Sequence, residues 1–133
     1  MTNAVSSAKH SRARTWAYWI ATVLFALPFG TGGVADVLLI DPVVEEMARL
    51  GYPAYFCVII GVWKILGVVA VFAPRLPRLK EWAYAGIIFD LTGAIATHIA
   101  VSDHFSKMLA PIIFTILAVI SWHLRPTSRR LGD

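Results

Sequence analysis

Four apolar blocks separated by short polar segments dominate the pattern of hydrophobic and polar positions. They run from Trp16 to Ile40, Tyr55 to Ala73, Trp82 to Val101 and Met108 to Leu124. Each has roughly 17 to 25 residues, which at about 1.5 Å rise per residue matches a hydrocarbon core about 30 Å thick. The pattern predicts an all-α integral membrane four-helix bundle. We expect a single domain over residues 1–133, with polar tails at 1–14 and 125–133.

The segment between the first two blocks, DPVVEEMARLGYP, predicts a short amphipathic helix at the membrane surface. Asp41 is the expected N-cap and Gly51 the C-terminal stop. Glu45 and Arg49 are spaced for an i,i+4 ion pair. If the helix folds over the bundle, Glu45 and Glu46 form an acidic vestibule there.

The first block also contains a helix-breaking combination. Pro28 is followed by Gly30, Gly32 and Gly33. Because proline removes a backbone donor and glycine loosens a helix, we expect a kink or an unwound stretch here.

Composition and charge support a membrane protein and set its orientation. Hydrophobic residues make up 58% of the chain and charged residues 15%, whereas soluble chains carry about a quarter charged residues. The net charge of +4 does not indicate a nucleic-acid partner, because the basic residues flank the apolar blocks. Three flanking segments hold most of them: Lys9, Arg12 and Arg14; Arg75, Arg78 and Lys80; Arg125, Arg129 and Arg130. The positive-inside rule therefore places both termini in the cytoplasm.

Ionisable residues inside the blocks are the candidates for function: Asp36, Lys64, Asp90 and His98. Such a charge costs at least about 2.5 kcal/mol near the bilayer centre, so each should face the bundle interior. Lys64 and Asp90 fall at matching depth on adjacent helices, which predicts an ion pair. That pair either fixes helix register only, or lines a proton path or a pocket for a lipophilic ligand, with Trp63 beside it.

A second pair, between Asp36 and His98, is geometrically possible, because both residues lie near the outer ends of their predicted helices at similar depth. His98 could relay a proton or be held by a structural hydrogen bond. The four histidines and the lone Cys57 show no metal-ligand spacing, so we expect no metal site. Phosphate-binding, dinucleotide-binding and nucleophile-elbow motifs are absent from the sequence.

Three stretches carry a resemblance to a known family: GTGGVADVL, ARLGYPAYF and GVWKILGVVAVFAPRLPRLKEWAYAGIIFDLTGAIATHIAVSD. The chain resembles the DoxX-like family of small four-helix bacterial membrane proteins. That resemblance implies the bacterial inner membrane and an association with redox or stress pathways, since broader relatives include a membrane subunit of thiosulfate:quinone oxidoreductase. Lys64, Asp90 and His98 match positions within the recurring motifs, but the resemblance supplies no catalytic role for them.

Three functions follow as hypotheses. The first is an accessory module that binds a lipophilic small molecule, such as a quinone, against Lys64 and Asp90. The second is an intramembrane enzyme that uses Asp90 and His98 for proton transfer, although about 12 Å of helix separates them. The third is a bundle that binds a membrane-protein partner or a second copy through small residues, namely Gly86, Gly93, Ala94 and Ala96.

Overall fold

The computed structural model describes residues 1–132, which form α-helices joined by short connections and no strand. The helices are α1 (Thr2–Val37), α2 (Asp41–Arg49), α3 (Ala54–Phe72), α4 (Pro77–Ala100) and α5 (Ser106–Leu124), followed by a 3-10 turn at Thr127–Arg129. Among the described residues, α1, α3, α4 and α5 are long and apolar enough to cross a membrane. The predicted four-helix membrane bundle is confirmed.

The four long helices form a ring in chain order. α3 packs against α1 and α4, and α5 packs against α4 and α1, which closes the ring. The buried core lies towards the end that carries the α3–α4 turn at residues 73–76; it consists of Phe25, Ala26, Phe29, Val71, Tyr84, Ile87, Leu91 and Ala118. We call this the basic end, and the opposite end, where α2 lies, the α2 end.

α1 differs from its prediction at its N-terminus and around Pro28. It is helical from Thr2, so the segment expected as a polar tail continues the first helix, and α1 is not unwound after Pro28. In lipid, an unwound stretch would leave backbone groups without partners. The helix therefore continues past Pro28, although proline lacks one backbone hydrogen-bond donor.

α2 is present where the sequence predicts it and packs against α3 and α1. Its first residue is Asp41, with Ile40 in the N-cap position, so Asp41 is not the cap. Gly51 has a φ of 91°, a conformation that glycine adopts without strain, and it follows the helix end as predicted.

Basic side chains at the basic end bind the free carbonyls at the C-terminus of α3. Lys80 is fully buried, and its Nζ donates to the carbonyl oxygen of Ala70 at 2.9 Å and to that of Ala73. Arg129 Nη1 donates to the carbonyl oxygen of Val71 at 3.1 Å. These cations satisfy orphan acceptors and complement the helix dipole, so they have a structural role in addition to the topological role that the sequence predicts.

A buried polar cluster joins α1, α4 and α5 at the same end. Arg125 forms an ion pair with Glu81 and lies 5.2 Å from the ring centroid of Tyr84. The Tyr84 hydroxyl is 2.7 Å from Ser121 Oγ, which in turn is 2.6 Å from Thr22 Oγ1. The interior of the basic end, where α1, α4 and α5 meet, is therefore tightly packed and hydrogen-bonded.

Candidate functional site

Two glycines bring α1 and α3 into close contact. A Cβ atom added at Gly33 would lie 2.8 Å from Lys64 Cβ and 3.0 Å from the carbonyl oxygen of Gly61. A Cβ atom added at Gly61 would lie 2.6 Å from the carbonyl oxygen of Gly33 and 2.8 Å from Asp36 Cβ. Only glycine fits at this crossing, as in other close helix contacts in membranes.

The close contact determines the partner of the intramembrane lysine. Lys64 Nζ lies 2.8 Å from Asp36 Oδ2, and both side chains are mostly buried. The predicted ion pair between Lys64 and Asp90 is therefore wrong. Matching depth did place Lys64 and Asp90 beside one groove, but the glycine crossing puts Asp36 of α1 within reach, whereas α3 and α4 stand apart at this level.

The space between α3 and α4 is an apolar groove, whose larger compartment has a volume of about 380 Å³. Its walls are almost entirely hydrophobic and include Trp63 and Trp82, whose side chains are 68% and 79% exposed. Lys64 and Asp90 are the ionisable residues in its lining. This compartment reaches from the level of Asp90 towards the basic end, where Leu79 lines it.

A second compartment of about 270 Å³ continues the groove towards the α2 end. Lys64, Asp90 and Ile60 line both compartments, so the two charged residues stand at the waist between them. Met47 and Leu50, in and just after α2, line the second compartment. The helix that the sequence predicted at the membrane surface thus borders the α2 end of the groove.

Glycines on α4 keep the groove open. Gly86 lines the first compartment and Gly93 the second, and a Cβ atom at either would meet nothing within 4 Å. Gly86, Asp90 and Gly93 are spaced to lie along one face of the helix. At Gly86 and Gly93, these small residues therefore face open space and do not pack against another helix of this chain.

Asp90 and His98 do not have the partners that the sequence analysis predicted. Among residues 1–132, no side chain forms a hydrogen bond or an ion pair with the Asp90 carboxyl group, although it is partly buried. His98 Nδ1 lies 2.7 Å from Asp103 Oδ2. The possible pair between Asp36 and His98 is therefore wrong, because Lys64 takes Asp36 and the nearby loop supplies Asp103.

An ion network ties α2 to the α4–α5 loop. Arg49 donates to both oxygens of Asp103, at 2.9 and 2.8 Å, and to both oxygens of Glu46. Lys107 also binds Glu46, at 3.1 Å. The Arg49 guanidinium lowers the pKa of Glu46 and that of Asp103 to about 2 each, with smaller contributions from Lys107 and His98. The expected Glu45–Arg49 pair is wrong: Glu46 takes that place, and Arg49 and Lys107 compensate the charge of Glu46.

The fold also assembles one group of possible metal ligands that sequence spacing did not reveal. In the described part of the chain, ligand atoms of Glu46, His98 and Asp103 lie within 4.8 Å of one another. Arg49 and Lys107 already bind these carboxylates. A divalent cation would have to displace two cationic side chains, so the arrangement favours an ion network over a metal site.

The residues that form the groove, its charged waist and the loop network all lie in one stretch of the sequence. The sequence model of the DoxX-like family matches residues 20–121. The chain belongs to this family. No curated protein and no solved structure matches the chain. The family match contains the glycine crossing, Lys64, Asp90 and the His98–Asp103 pair, whereas Arg125 and Arg129 lie outside it.

Residues of this DoxX-like chain that the sequence interpretation overlooked have a recognisable pattern. Gly33-Val-Ala-Asp36 in α1 and Gly61-Val-Trp-Lys64 in α3 both place a glycine three residues before an ionisable residue. Residues three apart lie on one helix face, so a helix that packs closely through its glycine also presents its charge to the partner helix. That pairing of motifs was the available indication that Lys64 faces Asp36.

Proposed function

We propose that this DoxX-like bundle binds a lipophilic small molecule with a neutral, hydrogen-bonding head group, such as a quinone, in the groove between α3 and α4. The supporting observation is the apolar groove with Lys64 and the unpaired Asp90 at its waist. Polar groups placed sparsely in an apolar concave site are typical of small-molecule binding sites.

The charges at the waist favour a neutral head group. Asp36 already neutralises Lys64, so an anionic head group would meet no free counter-charge and would face the Asp90 carboxyl group. An ammonium has three donors, and Asp36 accepts one of them, which leaves donors for a carbonyl oxygen. A ligand hydroxyl group can donate to Asp90. Paired carbonyl or hydroxyl oxygens on a ring satisfy both residues.

The first compartment suits the apolar part of such a ligand. Its walls offer few polar atoms, and Trp63 and Trp82 are largely exposed on the membrane-facing surface of the bundle. A ligand tail lying there exchanges lipid contacts for protein contacts, so binding requires no passage through water. The head group at the waist then provides specificity.

Tryptophan fluorescence in lipid nanodiscs tests the proposal, because Trp63 and Trp82 line the groove. We expect saturable quenching by a short-chain benzoquinone that the Gly86→Leu variant loses, since the new side chain fills the groove. Gly32→Leu is the matched control. A Cβ atom at Gly32 also meets open space, but Gly32 does not line the groove. Equal, non-saturable quenching in all three proteins would refute the site.

The roles of the waist residues are tested separately from occupancy of the groove. Asp90→Asn and Lys64→Met should each weaken quenching in a protein that remains folded by circular dichroism. Trp63→Phe should reduce the amplitude of the quenching without changing the quinone concentration at its midpoint. That result would assign the fluorescence response to the groove. Midpoints unchanged in both waist variants would show that Lys64 and Asp90 do not bind the head group.

The cellular setting is part of the same proposal. We place the protein in the bacterial inner membrane with both termini cytoplasmic, as the basic segments favour. Cys57 is fully buried, so a membrane-impermeant maleimide should label only introduced cysteines in intact spheroplasts. Ser106→Cys should react and Ser7→Cys should not; the reverse result would invert the orientation. Copurification of a quinone with the protein would support the redox pathway that the resemblance implies.

A further inference from the structure

The loop after α4 forms a built support for His98. Ser102 has a φ of 58°, which turns the chain back, and the Asp103 backbone N–H donates to the carbonyl oxygen of His98 at 2.9 Å. The Asp103 carboxylate lies 2.7 Å from His98 Nδ1. Arg49 of α2 binds both oxygens of the same carboxylate. The Asp103 side chain that contacts the His98 ring is thus itself held in place by Arg49.

This support determines which ring nitrogen is free. The pKa of Asp103 is lowered to about 2, mainly by Arg49, so its carboxylate acts only as an acceptor and Nδ1 must carry the hydrogen. In a neutral imidazole Nε2 then has the lone pair, and no residue among 1–132 forms a hydrogen bond with Nε2. The His98 ring lines the second compartment of the groove.

We propose that the groove has a second position for the head group, next to His98 and about 12 Å along α4 from the waist, where His98 accepts a proton from a ligand hydroxyl group, with Asp103 and Arg49 as positioning residues. This inference rests on the proposed function and narrows its ligand to a quinol or another phenol. The ligand O–H bond breaks, an Nε2–H bond forms, and the Asp103 carboxylate stabilises the resulting imidazolium. The phenolate stays paired with the imidazolium, and the reverse transfer protonates the ligand oxygen again.

Other charged groups around His98 agree with this role. Arg49 and Glu46 on α2 bind each other, and Lys107 of α5 binds Glu46, so their charges are largely compensated. On α4 itself, Asp90 lies at the opposite end of the second compartment. The Tyr52 hydroxyl group forms a hydrogen bond with Thr97 Oγ1 at 2.9 Å. His98 is therefore the free proton acceptor that this part of the groove offers besides Asp90.

Nitrogen-15 NMR of histidine-labelled protein in nanodiscs tests the positioning. The four histidines are assigned by single His→Gln variants. At alkaline pH, we expect His98 to show a protonated Nδ1 and an unprotonated Nε2, and Asp103→Asn to lose that preference. His104 should be unaffected by Asp103→Asn, because its Nδ1 lies 3.0 Å from Ser106 Oγ instead. A protonated Nε2 in the wild-type protein would overturn the inference.

An alkyl nitrophenol, whose phenolate absorbs visible light, tests the proton transfer. Bound to the wild-type protein, it should ionise about one pH unit lower than when bound to His98→Gln, the size expected of one charge-assisted hydrogen bond. Asp103→Asn should lose part of that shift, whereas His104→Gln should keep it all. Saturable binding with the same ionisation midpoint in wild type and His98→Gln would refute proton transfer alone. Absence of saturable binding would refute the groove itself.

Discussion

Substituting alanine at Gly61 tests the close crossing on which the charged waist depends. The added Cβ would lie 2.6 Å from the Gly33 carbonyl oxygen and 2.8 Å from both Asp36 Cβ and Val37 Cγ2. Ordinary contacts begin at 3.4 Å, so α1 and α3 must separate by about 0.8 Å. Backbone atoms and a Cβ atom cannot move aside as the end of a flexible side chain does.

The energetic effect has two opposing parts. Overpacking of a tight contact costs about 1 to 3 kcal/mol, and the separation also stretches the 2.8 Å contact between Lys64 and Asp36. Alanine returns at most about 1 kcal/mol through its better helix propensity. We therefore expect Gly61→Ala to destabilise the bundle by about 1 to 2 kcal/mol. The Cβ atom of Gly32→Ala would meet nothing within 4 Å, so this variant gains helix propensity without overpacking.

Reversible unfolding in mixed micelles, followed by circular dichroism during a titration with denaturing detergent, measures the difference. Gly61→Ala should unfold at a lower detergent fraction than the wild-type protein, and Gly32→Ala at the same or a higher one. Gly33→Ala should resemble Gly61→Ala, because its Cβ would meet Lys64 Cβ at 2.8 Å. Equal stability of Gly61→Ala and Gly32→Ala would refute the close crossing.

Three further predictions use the same protein preparations. Lys64→Met leaves Asp36 without a counter-charge and should cost about 3 kcal/mol, whereas Lys64→Met with Asp36→Leu should restore much of it in the unfolding assay. Lys80→Met removes two bonds to carbonyl oxygens of α3 and should cost about 1 to 3 kcal/mol. Since Glu46 and Asp103 have pKa values lowered to about 2, the protection factors of the α2 amides, which correct hydrogen exchange for the intrinsic effect of pH, should stay constant from pH 8 to pH 5. Their contribution should disappear only between about pH 4 and pH 2; release of α2 near pH 6 would contradict the network.

The spans and α2 were predictable because each depends on a local property of the sequence. Length and hydropathy define a spanning helix, and DPVVEEMARLGYP contains its own stop signal at Gly51. The partner of Lys64 was not predictable from depth. Counting residues along a helix axis gives one coordinate, and the direction in which a side chain points around the axis depends on which helices pack closely.

The partner of His98 was missed for a different reason. Asp103 lies in a loop, where a single residue with positive φ reverses the chain direction, and Ser102 gives no sequence signal for that conformation. Arg49 and Asp103 are 54 residues apart and meet only because α2 lies against the end of the bundle. Loop charges that appear solvated in a sequence can therefore become the support of a buried-site residue.

The glycines explain why the candidate site lies where it does, and they make its two properties separable. Gly33 and Gly61 leave no room for a Cβ and hold α1 against α3, whereas Gly86 and Gly93 face open space between α3 and α4. Enlarging the first pair should therefore lower stability and disturb the site only as a consequence. Enlarging the second pair should abolish ligand binding while the unfolding midpoint stays unchanged. A bundle that served only as a packing scaffold would show no such separation, since filling an unused space between helices would change no binding curve.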